Sequence, residues 1–486
     1  MSRSHSITLI PGDGIGPEVT TAARKIIDAA LALQGSKIEW DECEAGASVF
    51  KKGLATGVPS ETIASIQKNK IALKGPLETP VGFGEKSANV TLRKMFEMYG
   101  NIRPVRELPG VPTPYSGRNI DLVIVRENVE DLYAGIEHMQ SPGVAQCLKL
   151  ISRKGSEKII RLAFEFARSE GRKKVHCATK ANIMKLTEGL FKRTFEDVAK
   201  EYTDIDAQHI IVDNCAHLLV KQPEMFDVIV TTNMNGDILS DLGSALIGGL
   251  GFAPGANIGD DYAIFEAVHG SAPKYAGKNN INPTAVLMSG VMMLRYLGEF
   301  DAANAITQSL YVTLARDRYL TRDIKLSGQN PVSTTEFTDR IIQNLGQTYN
   351  EENRPYQAIE KIHLSKDVDF VKTKERKVLG ADIFVETTKP MHELGNHMED
   401  LAAQHSLSLK LISCRGVKVY PAEHNIQPDV IDVVRCRFFE KEGQELSNQK
   451  IRALLQSIEP HDKWVHVEKL QSFDGTSGYS KSHGED

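Results

Sequence analysis

Two carboxylates near the middle of the chain stand where a hard cation would be held. Asp237 and Asp241 are four residues apart in Asn233-Met-Asn-Gly-Asp-Ile-Leu-Ser-Asp241, so on a helix both project from one face. The apolar run Val228-Ile229-Val230 before them reads as a buried strand, Asn235-Gly236 as a turn, and the acids as a helix's first turns. Oxygen ligands presented this way suit Mg2+ or Mn2+. Acids at a helix start also suit the macrodipole without any metal, so the pair alone leaves both readings open. Elsewhere, Ser87 is placed to cap a helix whose first turns carry Asn89 and Arg93. Arg103, Arg106 and Arg126 sit at strand ends, where a guanidinium can grip a carboxylate with two bonds. Lys180 follows a strand, and is read as opening a helix, where burial would fit a lysine for proton transfer. Asp213 ends the apolar Ile210-Ile-Val run. The loop Phe265–Gly277 runs toward a helix opened by Asn282-Pro283, a candidate phosphate or nucleotide cradle.

These residues need a scaffold, and the chain shows a repeated strand–helix pattern. Ile7–Ile10 enters Gly12-Asp-Gly-Ile-Gly-Pro-Glu18, followed by Val19, Ala22, Ala23, Ile26, Ile27 and Ala30 at helical spacing. Pro17 occupies the last position of G-x-G-x-x-G, so spacing does not support a Rossmann fingerprint; the alternation itself indicates an α/β domain. Residues 134–153 are less regular, with alternation over Cys147–Ile151, and read as an arm. Residues 347–375 are polar and read as a linker. Beyond it, β-α-β-β-α-β periodicity over 376–472 predicts a split βαβ (ferredoxin-like) α+β module without titratable clusters, and 473–486 a loose tail.

Composition narrows the partners. With 486 residues, 41% hydrophobic and 25% charged, the chain is an ordinary globular one of several domains. A net charge of −5 carries no polybasic signature for nucleic acid. Six scattered cysteines form no C-x-x-C pair, which fits a reducing compartment. No signal-peptide region and no membrane-length apolar stretch is found, so a cytoplasmic protein is expected.

Six motifs then coincide. They are Gly12-Asp-Gly-Ile-Gly-Pro-Glu18, Ser87-x-Asn-Val-x-Leu-Arg93, Arg126-Glu-Asn-x-Glu-Asp-x-Tyr133, Lys180-x-Asn-Ile-Met-Lys185, Asn235-Gly-Asp-x-x-Ser-Asp241 and His269-Gly-Ser-Ala-Pro-Lys-Tyr-Ala-Gly277. In this order, over roughly residues 5–345, the chain resembles the isocitrate/isopropylmalate dehydrogenase family of metal-dependent β-decarboxylating dehydrogenases. The likeness is strongest to its isocitrate dehydrogenases, in the longer bacterial subgroup with an extra C-terminal domain.

The resemblance implies a two-domain fold on one continuous mixed sheet, with residues 1–98 and 265–346 as the large, cofactor-side domain and 99–264 as the small one. It implies a homodimer whose arm lies around 134–153, with active sites shared between subunits. Tyr133 and Lys180 match the acid–base pair; Ser87, Asn89, Arg93, Arg103, Arg126 and Tyr133 the isocitrate-binding residues; Asp213, Asp237 and Asp241 the ligands of Mg2+ or Mn2+. Thr79, Glu266, His269, Gly270, Ser271, Ala272, Lys274, Tyr275, Asn282 and Arg322 match the cofactor side. Lys274-Tyr275, where NAD users typically carry Asp first, favours NADP, with Arg322 or Lys325 as further phosphate contacts. The implied reaction is oxidative decarboxylation of isocitrate to 2-oxoglutarate and CO2. Homoisocitrate or 3-isopropylmalate is the nearest alternative substrate, and a regulatory or RNA-binding role of the C-terminal module the alternative of another class.

Overall fold

The structure, a computed structural model of one chain, describes residues 3–79, 87–324, 330–349, 363–365, 368–422, 428–440, 444–483 and 485. Two compact units result: Met1–Tyr133 with Leu150–Ser365, and Ala134–Lys149 with Lys366–Asp486. Most of the expected linker, Lys325 and the loop after Thr79 lie outside the described residues.

The first unit opens with β1 (Ser4–Ile10), α1 (Gly16–Leu33), β2 (Lys37–Glu42), α2 (Ala47–Lys51), α3 (Ser60–Asn69), β3 (Ile71–Lys74) and α4 (Ala88–Met95). It continues through β4 (Gly100–Arg106) and β5 (Asp121–Glu127). A hairpin, β6 (Glu137–Ser141) and β7 (Val144–Cys147), then belongs to the second unit. The chain returns as α5 (Arg153–Ser169), β8 (Lys174–Thr179), α6 (Thr187–Ala199), β9 (Asp206–Ile211), α7 (Val212–Lys221), β10 (Val228–Thr231) and α8 (Asn233–Leu246). It closes with β11 (Pro254–Ile258), β12 (Ala263–Ala267), α9 (Thr284–Tyr296), α10 (Phe300–Tyr311) and α11 (Thr334–Gln343).

Among the described residues these strands form one mixed ten-stranded sheet, ordered β2-β1-β3-β12-β11-β4-β5-β10-β8-β9. The pairs β12–β11, β11–β4 and β4–β5 are antiparallel; the flanking pairs are parallel. Strands buried on both faces read as continuous apolar runs, as Val228–Val230 does. The reversal of strand direction at the sheet's centre places loops from both halves around one crevice, where ligands bind open α/β sheets. The glycine-rich turn after β1 packs on the loop after β12: Ile15 N donates to Ser271 O (2.9 Å), and a Cβ on Gly14 (φ +58°) would lie 2.0 Å from that oxygen. Among the described residues no helix is long and apolar enough to cross a membrane.

The second unit contains β13 (Arg376–Glu386), α12 (Met391–Gln404), β14 (Leu407–Cys414), β15 (Val417–Tyr420), β16 (Val433–Glu440), α13 (Asn448–Ile458), β17 (Lys463–Phe473) and β18 (Thr476–Ser477). Its sheet order, β15-β14-β16-β13-β17-β18, is the split βαβ arrangement with one added strand at each edge. Leu394, Met398 and Leu401 of α12 and Ile451 and Leu454 of α13 share its core with Ile383, Cys436 and Phe438.

Several expectations are corrected. Asn235-Gly236 is no turn but the first turn of α8; the glycine is there because a Cβ would lie 2.6 Å from Arg126 Cγ. The helix expected to open at Lys180 starts seven residues later, at Thr187. The arm's strand is Val144–Cys147, not Cys147–Ile151. The tail is not loose: Arg437 donates to Ser480 O (3.1 Å) and to Glu485 Oε2 (2.7 Å). That tail completes a buried charged cluster of Asp382, Arg435, Arg437 and Glu485, so the module does hold titratable groups.

Candidate active site

The carboxylate of Asp237 is built into α8 and held from three sides. β10 ends inside the sheet, Thr232 precedes the helix, and Met234 N donates to Asp131 Oδ2 (2.9 Å), which satisfies one open amide of the first turn. Asp237 Oδ1 then accepts from Arg126 Nη1 and from Arg103 Nη1 (3.2 Å), and Oδ2 from the Tyr133 hydroxyl (2.7 Å). Arg126 is itself steered by Asn233 Oδ1, which accepts from Nη2 (2.7 Å) and Nε (3.1 Å). The side chain of Asp241, one turn on, accepts no hydrogen bond among the described residues. Burial would raise both acids, but the guanidiniums of Arg126 and Arg103 outweigh it at Asp237, which is lowered. At Asp241 burial wins, Asp237 adds to it, and the carboxyl is raised.

Beside them is a cavity of about 290 Å3 lined by Lys74, Asn89, Arg93, Arg103, Glu266 and the loop His269–Ser271 among others. Glu266 anchors its floor. It takes Lys74 Nζ (2.5 Å), Arg93 Nη2 (2.9 Å) and Asn257 Nδ2 (2.7 Å), which hold it far below the ordinary carboxylate range despite burial. Asn257 Oδ1 in turn accepts from Asn101 (2.7 Å), whose own oxygen receives Arg103 Nε (2.6 Å). Lys74, Arg93, Arg103 and Arg126 thus meet only two carboxylates among the described residues, Glu266 and Asp237. The crowding shows: Arg126 is brought down to about 9 by burial and then by Arg103 and Arg93. Lys74 is lowered chiefly by burial, and Arg103 by burial and then by Arg93. Asn89 Oδ1 and Arg93 Nε are buried with no partner among the described residues, an arrangement that is costly unless a ligand completes it. Ser87 does not cap α4 with its side chain; its hydroxyl meets that of Thr79 (3.0 Å).

Lys180 and Asp213 form a separate pair, Nζ to Oδ1 at 2.6 Å, in which the lysine lowers the exposed aspartate. Neither bonds Asp237, Asp241 or Tyr133, and among the described residues no group of three or more His, Cys, Asp or Glu in one chain has metal-holding geometry. The single chain therefore does not bring the three expected metal ligands together. Tyr133 does reach Asp237; burial, then that contact, raises its hydroxyl.

Known proteins share this plan. Residues 6–341 match the family model described as isocitrate/isopropylmalate dehydrogenase, and 376–485 the model of the bacterial isocitrate dehydrogenase C-terminal domain. The chain belongs to the isocitrate/isopropylmalate dehydrogenase family. It is 60% identical over 481 residues to an isocitrate dehydrogenase [NADP] of Thermus thermophilus, covering 99% of this chain and 96% of the relative. It is 40% identical over the full length of both chains to that of Rickettsia conorii. A crystal structure of a Thermus thermophilus protein superposes with a TM-score of 0.94 at 60% identity, over 99% of this chain and 96% of that one. The isocitrate dehydrogenase of Methylococcus capsulatus gives 0.67 at 48% identity, over 71% of this chain and all of its own.

The family's cofactor-side residues divide in two. His269 Nδ1 lies 3.1 Å from Gly270 O while its buried Nε2 has no partner among the described residues, and burial lowers its pKa. Ala272 (left-handed, φ +38°), Lys274, Tyr275 and Arg322 border solvent, open to a ligand. The others are also tied into the protein. Ser271 O is taken by Ile15 N, Asn282 bridges Asp323 Oδ2 (2.9 Å) and Thr284 N (3.0 Å), and Glu266 is the buried anchor described above, which with Ser271 lines the cavity. Sequence reading missed Lys74, Asp131, Asn233 and Asn257. Lys74 ends the apolar Ile71-Ala-Leu, Asp131 lies inside the Arg126–Tyr133 motif and Asn233 opens the run that holds both acids, so three of the four carried a local signal.

Proposed function

We propose that this dehydrogenase oxidises isocitrate to 2-oxoglutarate and CO2 with NADP, in a metal-dependent reaction at sites shared by two copies of the chain. The observation that carries the reading is the surplus of buried cations beside two acids of opposite pKa shift. A tricarboxylate neutralises the surplus, and a divalent cation suits Asp241, whose carboxylate no donor satisfies among the described residues.

Arg93, Arg103 and Arg126 bind substrate carboxylates, and Asn89 and Ser87 hydrogen-bond the third. Asp237 and Asp241, with Asp213 of a second copy, hold Mg2+ or Mn2+. When bound there, that cation would supply Lewis-acid polarisation and NADP a hydride acceptor. Asp213 or Lys180 receives the hydroxyl proton through water. After CO2 leaves, Tyr133, with Lys180 of the second copy beside it, delivers a proton to the carbon that carried it; a raised hydroxyl pKa keeps that proton available. Ile183, Leu186, Val220, Met234 and Ile238 are exposed apolar side chains around Lys180, Asp213 and α8, a surface suited to a second copy. NADP is favoured by exposed Lys274 and by the NADP-dependent relatives.

Initial rates with isocitrate, homoisocitrate and 3-isopropylmalate, each with NADP or NAD and with or without EDTA, test this. The expected result is turnover of isocitrate with NADP that EDTA abolishes and Mg2+ or Mn2+ restores. Preference for the alkylmalate would overturn the substrate assignment, because a polar pair at Ser87 and Asn89 disfavours an alkyl group.

A further inference from the structure

One buried carboxylate close to this machinery has no part in the chemistry above. Glu188, in the first turn of α6, is 0% exposed. Its Oε2 accepts from the Lys180 backbone N–H (3.0 Å), and its Oε1 from the Thr232 hydroxyl (3.1 Å). A carboxylate removed from water is costly unless donors converge on it, and these two come from different working segments. Lys180 opens the loop between β8 and α6. Thr232 precedes α8, which carries Asp237 and Asp241.

The two ends depend on Glu188 unequally. The start of α8 has other anchors: Asp131 on Met234 N, Arg126 on Asn233, and Thr231 Oγ1 donating to Ala178 O (2.7 Å). The Lys180 segment is held mainly by its own turn, in which Ile183 N and Met184 N donate to Lys180 O (3.0 Å each) and Ala181 N donates to Thr179 Oγ1 (3.2 Å). At Lys180 itself, the tie from the main chain into the buried interior is Glu188.

We propose that Glu188 is a positioning residue for Lys180, and so acts in trans, on the site of the partner to which its chain lends that lysine. This rests on the shared-site reading above. A misplacement of about 1 Å in a reacting group costs on the order of 100-fold, so a loosened Lys180 should lower kcat while leaving isocitrate binding by the arginines in place.

Hybrid dimers of two differently tagged full-length chains test it. One chain carries Lys180→Met and the other Asp237→Asn. The hybrid then keeps one intact site, made of the first chain's acids and the second chain's lysine. With Glu188→Gln added to the lysine-donating chain, kcat of the hybrid should fall about 10- to 100-fold with KM for isocitrate changed less than about threefold. Added to the acid-donating chain, it should cost less than about threefold in kcat. Glu188→Asp, too short to reach both donors, should repeat the asymmetry if the Gln variant folds poorly. Equal losses from the two placements, or a larger loss on the acid-donating chain, would overturn the proposal in favour of support to α8 or to the fold. An inactive parent hybrid would instead sink the shared-site reading itself, whatever Glu188 does.

Discussion

Arg126 and Arg437 are both 1% exposed, yet their surroundings treat them in opposite ways. Arg437, in the C-terminal unit, makes a two-pronged pair with Asp382 (2.7 Å on each arm) and a third contact with Glu485 (2.7 Å). Burial would lower it, but those carboxylates outweigh burial and raise it. Arg435 joins the same cluster, so among the described residues two guanidiniums face two carboxylates and the charges balance. Arg126 shares Asp237 with Arg103 and lies near Arg93, and its pKa drops to about 9. Similar burial thus yields a closed structural cluster in one place and an anion-seeking one in the other. Perturbation by burial marks a functional site only where local partners fail to neutralise it.

Asp237→Asn should break the functional side of this contrast outright. The site would lose the negative charge proposed to hold the cation and, because an amide keeps only one oxygen, the acceptor either for Tyr133 or for the two guanidiniums. Loss of kcat by about 1,000-fold or more is expected in a chain that still folds. Initial rates check this, and a variant keeping a tenth of the activity would remove Asp237 from the centre of the mechanism. Arg437→Met should act on the other side. It leaves Glu485 without its guanidinium and Asp382 with Arg435 alone (3.4 Å), costing about 3 kcal/mol of stability in the C-terminal unit. Denaturant titration and hydrogen exchange over residues 376–485 would show it, with kcat of the folded fraction within about twofold of the parent's. Equal damage to turnover would mean that the two clusters are not independent.

Acid should produce the smallest and most graded effect. Asp237 and Glu485 are lowered in the folded chain, so their stabilisation is present above the ordinary carboxylate pKa and is lost as pH falls through the lowered values. Asp241 is raised, so the sign reverses: once ionised it costs stability, which the proposed divalent cation would offset. The gain in melting temperature from Mg2+ or Mn2+, about one to two degrees at about tenfold excess over Kd, should shrink as pH falls and Asp241 takes up its proton. A gain that did not change with pH would place the cation elsewhere.

Local order was readable from the chain alone. The apolar run before α8, the helical spacing in α1 and the strand alternation of the C-terminal unit depend on neighbours two to four positions away, and that range is what a sequence displays. The acids four apart on α8, and the motifs that carry the family resemblance, are of the same kind. Charge balance is not. The bonds that set it join residues 134 positions apart for Arg103–Asp237, 173 for Arg93–Glu266 and 55 for Arg437–Asp382. Asn235-Gly236 therefore resembled a turn until Arg126 was packed against it, and residues 473–486 a loose tail until Arg437 took Glu485. Sequence determined the elements and the chemical inventory, because propensity and periodicity act locally. Tertiary structure decided which cations were left without a partner, because desolvation depends on what the fold brings together from distant parts of the chain.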